Sequence, residues 1–514
     1  MPLHFTFTLM RKPLPPCLLV LRHDVVRKMA RRIGLLLFSG VSLTLFTSAN
    51  PQAMTRDAQV AVSLGGVQEG WVARYDGPDN YDDEGTAIAV DGSGNVYVTG
   101  FTFDATTDYD YTTIKYNSTG QRQWVARYDG TGSYIDRATA ITVDGSGNVY
   151  VTGASTSGTG SLDYATIKYN SAGQQQWVAY YDGPGDLDDV PAAIAVDGSG
   201  NVYVTGTSYD SVTALDYATI KYNAAGQPQW VRRYDGPATY DDDAAAIVVD
   251  GSGNVYVTGS SFGSGFNRDY ATVKYSAAGL QQWVARYDGP ARSDDGANAI
   301  AIDGTDNVYV AGYSYGSVGL DYATIKYNPA GQQQWLRRYD GPLHSDDYAT
   351  AIAIDNSGLV YVTGYSYGSN YNFDYATIKY DSAGQQQWVR RYDGAGSYDD
   401  IAKGIGVDGS GNIYVTGSSY GSGFNKDYAT IKYDPAGQQQ WTALYDGLGN
   451  SDDVANAISV DGTGNVYVTG TSYGAGTDRD YATIKYVEGP TPTPTPRATP
   501  RARPTPRSRP TPPR

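Results

Sequence analysis

The chain has 514 residues and a formal net charge of −16 at pH 7, and it is rich in Gly (62) and Tyr (47). Its acidic residues lie almost entirely between the two basic ends, and such a body repels nucleic acid and anionic membrane surfaces, so neither is an expected partner. The single cysteine, Cys17, lies upstream of the expected mature protein, which excludes disulfides and thiol chemistry from the folded part.

Residues 1–53 are predicted to be a signal region. Basic residues follow Met29, which could be the true start, and an apolar run at 33–46 leads into small residues. This order is typical of a secretory signal. The alternative is a membrane anchor, but the apolar run is shorter than the roughly 20 residues that a spanning helix needs. We therefore expect bacterial-type export to a secreted or cell-surface location, with no membrane span after signal cleavage.

The middle of the chain is a repeat marked by its tryptophans. They recur every 53 residues, with one spacing of 52, at Trp71, Trp124, Trp177, Trp230, Trp283, Trp335, Trp388 and Trp441. Each unit offers four short Val/Tyr/Thr-rich strands separated by Gly, Asp and Asn turn residues, as in 123–130, 138–144, 149–153 and 163–170. Four short strands in about 50 residues are typical of a propeller blade. A stacked β-solenoid is the competing architecture, although its coils are usually shorter.

This repeated text resembles the SBBP-type β-propeller repeat family over about residues 68–487, and its Asn-Val-Tyr-Val segment is similar to that of NHL-type blades. The resemblance implies that segments such as 138–144 form the innermost strand, followed outward by 149–153, 163–170 and the Trp strand. It says almost nothing about function. The family name suggests seven blades, but eight Trp strands predict eight.

The ends of the repeat predict how the ring closes. The last unit has three strands and then runs into proline, while the first Trp strand, residues 68–77, precedes any complete blade. The N-terminal strand should therefore complete the last blade and remove the exposed edges. We predict an all-β, eight-bladed β-propeller of four-stranded antiparallel blades at 68–488, after a lead-in at 54–67. Within that lead-in, residues 58–64 look like a weak third strand with no assigned place.

One aspartate recurs five residues before the innermost-strand Ile or its equivalent in every unit. Two interpretations stay open: a ring of carboxylates that could hold Ca²⁺ or a cationic group, or eight loop braces that bond local backbone amides, which strict repetition favours. The Asp-Gly-x-Gly-Asn turn lacks a calcium loop's ligand series, so no cofactor is otherwise expected. The set is Asp83, Asp136, Asp189, Asp242, Asp295, Asp347, Asp400 and Asp453.

An aromatic residue recurs three residues after the second-strand Gly in seven units, with Thr156 as the exception. Tyr, Ser and Gly together give large rigid contacts and adaptable hydrogen bonds, which suit sugar rings or extended peptides. Packing of the loops is the alternative interpretation. The set is Phe103, Tyr209, Phe262, Tyr315, Tyr367, Tyr420 and Tyr473.

An enzyme would need residues that break the repeat, and few do. After the signal region there is one histidine, His344, in an acidic linker, and only three glutamates, so neither a two-His metal site nor a triad away from His344 can be assembled. The segment from Gly120 to Trp124 resembles the blade-docking segments of quinoprotein propellers, without a cofactor-pocket signature. A surface histidine and a non-catalytic protein are the favoured interpretation.

The C-terminal segment, residues 489–514, is rich in Pro, Thr and Arg and is predicted to be an extended or disordered tail, either a spacer or without a specific partner. The sequence thus favours an extracellular binding or scaffold module, expected to be a monomer. Its ligand would be a glycan, a peptide or protein, or a cation. The alternative is a secreted carbohydrate-active or quinone-dependent propeller enzyme.

Overall fold

The structure is a computed structural model that describes residues 63–64, 66–131, 134–158, 160–185, 187–212, 214–396, 398–421, 423–449 and 451–489. The predicted signal region and the proline-rich tail lie outside the described residues. The described part consists of eight antiparallel sheets joined by turns and loops, and each sheet is one blade of four strands, with one blade extended by a fifth. The predicted all-β, eight-bladed propeller is therefore confirmed.

Blades are numbered 1 to 8 in chain order of their first strands, and strands are numbered outward from the central axis. The first strands are Glu84–Val90, Asp136–Val143, Asp189–Val196, Asp242–Val249, Asp295–Ile302, Asp347–Ile354, Ile401–Val407 and Val454–Val460. The second strands are Val96–Asp104, Val149–Thr156, Val202–Asp210, Val255–Phe262, Val308–Tyr315, Val360–Tyr367, Ile413–Tyr420 and Val466–Tyr473.

The outer half of each blade completes the sheet. The third strands are Asp108–Tyr116, Leu162–Tyr169, Ala214–Tyr222, Arg268–Tyr275, Leu320–Tyr327, Phe373–Tyr380, Lys426–Tyr433 and Arg479–Glu488. The fourth strands of blades 1 to 7 are Arg122–Tyr128, Gln175–Tyr181, Pro228–Tyr234, Gln281–Tyr287, Gln333–Tyr339, Gln386–Tyr392 and Gln439–Tyr445, and that of blade 8 is Val67–Tyr75.

The ring closes as predicted. Each first strand contacts the first strand of the next blade, and Val454–Val460 of blade 8 contacts Glu84–Val90 of blade 1. Val67–Tyr75 pairs antiparallel with the third strand of blade 8, with Trp71 opposite Lys485 and Tyr75 opposite Tyr481. Because the N-terminal strand completes the last sheet, no third strand is left as an unpaired edge.

The lead-in segment, which had no place in the repeat, adds a fifth strand to blade 7. Ser63–Leu64 pairs antiparallel with Thr442 and Ala443 of the fourth strand of that blade. The pairing covers two residues only. Of the segment 58–64, which resembles a third strand in sequence, only these two residues are described, and they lie at the outer edge of a sheet.

The hydrophobic core lies between neighbouring blades. Blades stack face to face, so both sides of a second strand are covered, and Val149, Tyr150 and Val151 are all fully buried. Each Trp fills the gap between two blades: the ring of Trp124 in blade 1 lies 6.2 Å from that of Tyr169 in blade 2. Its indole N–H donates to a backbone carbonyl of blade 2, so the tryptophans act as inter-blade wedges.

Candidate functional site

The chain path places two kinds of connection on opposite faces of the ring. The turns between first and second strands and between third and fourth strands lie on one side, called the turn face. The loops between second and third strands and the linkers from each fourth strand to the next first strand lie on the other side, called the loop face. Hydrogen bonds join these two kinds of loop, as when the backbone N–H of Leu162 donates to Asp188 at 3.0 Å.

The turn face is built from repeated, internally satisfied turns. The carboxylate of Asp144 accepts hydrogen bonds from the backbone amides of Ser146 and Asn148 and from the hydroxyl of Tyr150, each at 2.9 Å. Gly147 takes φ +76°, which glycine adopts without a Cβ penalty. Partial burial acts to raise the pKa of Asp144, but these hydrogen bonds lower it overall. The carboxylate thus stabilises the turn.

The eight recurrent aspartates stand at the start of the first strands, on the loop face. Every one is buried, and each accepts a hydrogen bond from the backbone N–H of the glycine six residues earlier. This geometry is that of a loop brace, one of the two interpretations that the sequence left open. Burial raises the pKa of Asp83 to about 7 and that of Asp242 to about 6.

The aspartate set and the aromatic set belong to one local arrangement. In seven blades the second oxygen of the aspartate accepts a hydrogen bond from the backbone N–H of the residue in the aromatic position, at 2.9–3.1 Å. Blade 6 differs, since the N–H of Tyr367 donates to the carbonyl of Asp346 instead. Oδ1 of Asp347 is buried there without a hydrogen-bond partner.

The aromatic side chains of that set are half-buried, except Tyr315, which is 38 % exposed. Several pack against a second ring on the loop face, as Phe103 does with Tyr81 at 4.9 Å between ring centroids and Tyr367 does with Phe373 at 4.4 Å. In blade 2 the hydroxyl of Thr156 donates to a backbone carbonyl. The set therefore forms the floor of the loop face rather than its outermost layer.

Three exposed aromatic residues form that outermost layer, and the sequence analysis missed them. Phe266, Tyr371 and Phe424 lie at the tips of the loops between second and third strands in blades 4, 6 and 7, and they are 72 %, 79 % and 73 % exposed. All three take positive φ, between 60° and 65°. The sequence pattern that could have identified them is an aromatic residue followed by Asn, four residues after the second strand ends.

Residues that differ from blade to blade surround the axis on the loop face. The position directly after each buried aspartate holds Glu84, Arg137, Val190, Asp243, Gly296, Tyr348, Ile401 and Val454. Their contacts differ as well: the Arg137 guanidinium lies 4.5 Å from the centroid of the Tyr109 ring, and Tyr348 stacks on Tyr365 at 5.0 Å. This ring of positions is the least symmetric part of the loop face.

Two further charged groups break the repeat. Lys403 of blade 7 is packed between first strands, where its ammonium donates to Asn456 at 2.7 Å, and burial lowers its pKa. His344 is exposed in the linker before blade 6, where Nδ1 lies 2.6 Å from Asp340 and this hydrogen bond raises the pKa of the imidazole. The position of His344 is that of a surface loop histidine.

Carboxylates also cluster at the junctions between blades. At the junction of blades 4 and 5, Asp269, Asp288 and Asp295 offer oxygens within 4.8 Å of one another, and equivalent triads recur around the ring. They come from the third strand, the residue directly after the fourth strand and the next first strand. Sequence reasoning used only the last of these, although all three positions hold Asp in each of these repeats.

The match to a protein-family model agrees with this architecture. A family model described as a β-propeller repeat, SBBP, matches residues 73–102, 123–158, 176–211, 229–267, 334–372, 387–425 and 440–476. An uncharacterized WD repeat-containing protein of Acanthamoeba polyphaga mimivirus is 22 % identical; the match covers 63 % of this chain but only 32 % of that protein. This chain thus spans about a third of that relative.

Among solved structures, the periplasmic gluconolactonase of Pseudomonas aeruginosa is 13 % identical, with a TM-score of 0.43 and coverage of 70 % of this chain and 98 % of that one. The polysaccharide lyase Uly1 is 11 % identical, with a TM-score of 0.40 and coverage of 84 % and 99 %. The described residues contain no helix that could cross a membrane. Seven matched repeats and eight observed blades lead to one conclusion: the chain belongs to the SBBP β-propeller repeat family.

Proposed function

We propose that the protein is a secreted or cell-surface binding module that holds a neutral or amino-sugar glycan on its loop face. The observation that carries the proposal is the set of three aromatic tips, Phe266, Tyr371 and Phe424, each more than 70 % exposed at positive φ. The predicted export signal at residues 1–53 supports the location.

The turn at each tip does not itself need an aromatic residue. In blade 4 the backbone N–H of Phe266 donates to the carbonyl of Gly263 at 3.1 Å, and in blade 2 the same turn is closed by Gly160 and Ser157 at 3.0 Å. Gly160 takes φ +92° without a side chain. A left-handed conformation costs a residue with a Cβ about 1–2 kcal/mol, so the exposed ring is maintained at a cost that local folding does not explain.

The tips extend into small aromatic patches. Phe266 lies 5.9 Å from the ring of Tyr240, which lies 5.4 Å from Phe262, and Tyr240 is itself 49 % exposed. Blade 7 repeats this arrangement with Phe424, Tyr398 and Tyr420. The C–H face of a sugar ring packs on such rings, while the surrounding carboxylates and hydroxyls can bond its hydroxyl groups.

The net charge of the protein and the number of its aromatic tips restrict the class of ligand further. The formal net charge of −16 disfavours an acidic polysaccharide, which leaves neutral chains or chains that carry amino groups. Three tips on one face offer several contacts to one polymer, so the effective affinity for a long chain should exceed that for a single sugar. A monomeric protein is sufficient for this mode of binding.

The experiment is a glycan-array screen with the purified protein, followed by calorimetry with the best neutral or amino-sugar ligand. The triple variant Phe266→Gly, Tyr371→Gly and Phe424→Gly should lose at least about tenfold in affinity, which is about 1.4 kcal/mol. Its thermal midpoint should not fall, because Gly160 already closes the same turn.

The matched control is the double variant Val212→Ser and Val318→Ser. These residues are 80 % and 73 % exposed in the corresponding loops of blades 3 and 5, and the variant should bind as the wild type does. Undiminished binding by the triple glycine variant would overturn the proposal, and so would an array on which the wild-type protein retains no neutral or amino-sugar glycan.

A further inference from the structure

An arginine compensates the carboxylates at five of the eight blade junctions. In blade 4, Arg286 Nη2 lies 2.9 Å from Asp269, and its Nη1 donates to the hydroxyl of Ser261 at 2.6 Å. The same pairing, at 2.6–2.9 Å, recurs at Arg74, Arg233, Arg338 and Arg391. A buried carboxylate is thereby matched by a charged, hydrogen-bonded partner.

Within the part of the chain that the structure describes, three junctions lack this guanidinium. The arginine position is occupied by Tyr180 in blade 2 and by Leu444 in blade 7. Blade 1 retains an arginine, but Arg127 extends toward Asp104, with Nη1 and Oδ2 at 3.7 Å. Among the described residues, therefore, no arginine forms an ion pair with Asp110, the third-strand aspartate of blade 1.

Two threonines explain why Arg127 points elsewhere. The position of Ser261 is occupied in blade 1 by Thr102, and the hydroxyl of Thr102 is hydrogen-bonded to that of Thr112 at 2.7 Å. In the equivalent place opposite the arginine, blade 4 has Ala271. The hydroxyl that a guanidinium would engage is already bonded in blade 1, so the arginine loses one of its two anchors.

Asp110 has an unmatched acceptor atom. The residue is 4 % exposed; its Oδ2 accepts a hydrogen bond from Thr107 at 2.8 Å, and its Oδ1 is buried without a hydrogen-bond partner. With Asp129 and Asp136 it forms a triad whose oxygens lie within 4.8 Å of one another. Leaving a buried carboxylate oxygen unsatisfied is costly. Oδ1 of Asp374 and of Asp480 is likewise unmatched, but the other oxygen of each of these residues pairs with an arginine, and Asp110 has no such positive partner.

We propose that a divalent cation, Ca²⁺, binds at the junction of blades 1 and 2 through Asp110, Asp129 and Asp136. It takes the electrostatic role that the guanidinium has at the five arginine junctions. Ca²⁺ accepts carboxylate oxygens in flexible geometry, and Asp129 is exposed, so water can complete the coordination. The site is independent of the aromatic tips and of glycan binding.

The test is calorimetric titration of chelator-treated protein with CaCl₂ at pH 8. The variant Asp129→Asn should lose one equivalent of bound Ca²⁺ relative to the wild type and should remain folded, because the residue is exposed. The matched control, Asp288→Asn at the arginine-bearing junction of blades 4 and 5, should leave the stoichiometry unchanged.

A second variant removes the site without removing a carboxylate. The change Thr102→Ser with Thr112→Ala restores the blade 4 pattern, so Arg127 should pair with Asp110 and the same equivalent of Ca²⁺ should be lost. The proposal fails if the wild type binds no more Ca²⁺ than Asp129→Asn, or if Asp288→Asn removes as much binding as Asp129→Asn.

Discussion

The buried carboxylate of Asp242 accepts a hydrogen bond from the backbone N–H of Phe262 at 2.9 Å, and its other oxygen accepts one from the backbone N–H of Gly236 at 2.5 Å. One side chain thus ties the start of a first strand to the linker before it and to the end of the second strand. Because seven blades repeat this relationship, it is the element that holds the loop face to the rigid part of the ring.

Replacing this brace should destabilise the protein. Asp242→Ala removes two charge-assisted hydrogen bonds to backbone amides that remain buried, so we expect a loss of about 2–4 kcal/mol in the free energy of unfolding. Urea unfolding followed by tryptophan fluorescence measures the change. Asp241→Ala, one residue earlier and 45 % exposed at its side chain, is the control and should change stability by less than about 0.5 kcal/mol.

The glycine that packs against the Trp124 ring should not tolerate a side chain. Gly173 takes φ +78°, and a Cβ there would lie 2.6 Å from the Trp124 ring. Gly173→Ala should cost about 2–4 kcal/mol, since it combines left-handed strain with overpacking. Gly145→Ala, where a Cβ would meet no atom within 4 Å, is the matched control. Equal melting temperatures for the two variants would contradict the role of Trp124 as an inter-blade wedge.

The free energy of unfolding should pass through a maximum near pH 4 in metal-free buffer. Burial raises the pKa of Asp83 and of Asp427 to about 7, so their contribution is fully present below the unfolded value of about 4 and is lost as the pH rises through 7. At Asp303 and Asp461 burial acts to raise the pKa, but hydrogen bonds lower it to about 2. Their contribution is lost as the pH falls from about 4 through 2.

The measurement is the free energy of unfolding in urea at pH 2, 4, 6 and 8. Asp427→Asn should make the decline between pH 4 and pH 8 smaller, because it removes one of the groups whose proton is bound more tightly in the folded state. A wild-type stability that rises steadily from pH 4 to pH 8 would show that the buried carboxylates do not control this range.

Closure by the N-terminal strand can be tested by removing it. A protein that lacks residues 66–77 exposes the edge of Arg479–Glu488 and leaves Asp480 without Arg74, which lies 2.8 Å away in the intact ring. It should melt at a lower temperature and associate with increasing concentration, as exposed edges do. A synthetic peptide of residues 66–77 should restore both properties, and a scrambled peptide should not; light scattering measures the association.

The local pattern of the sequence was enough to predict the blades and the closure of the ring. A tryptophan every 53 residues, constant glycines at the turns and an unpaired strand at each end specify strand order and partner, because the same short-range preferences act eight times. The braces at Asp242 and its equivalents were among the interpretations that this repetition allowed.

The tertiary structure alone decided where one blade differs from another. Asp110 and Asp136 belong to different blades, and their meeting with Asp129 depends on how two sheets stack. The direction of Arg127 depends on a threonine pair across two strands. The exposure of Phe266 depends on how its loop packs against the rest of the loop face. A repeated sequence predicts the structure that all blades share. The features in which one blade differs from the others depend on contacts between strands that are distant in the sequence.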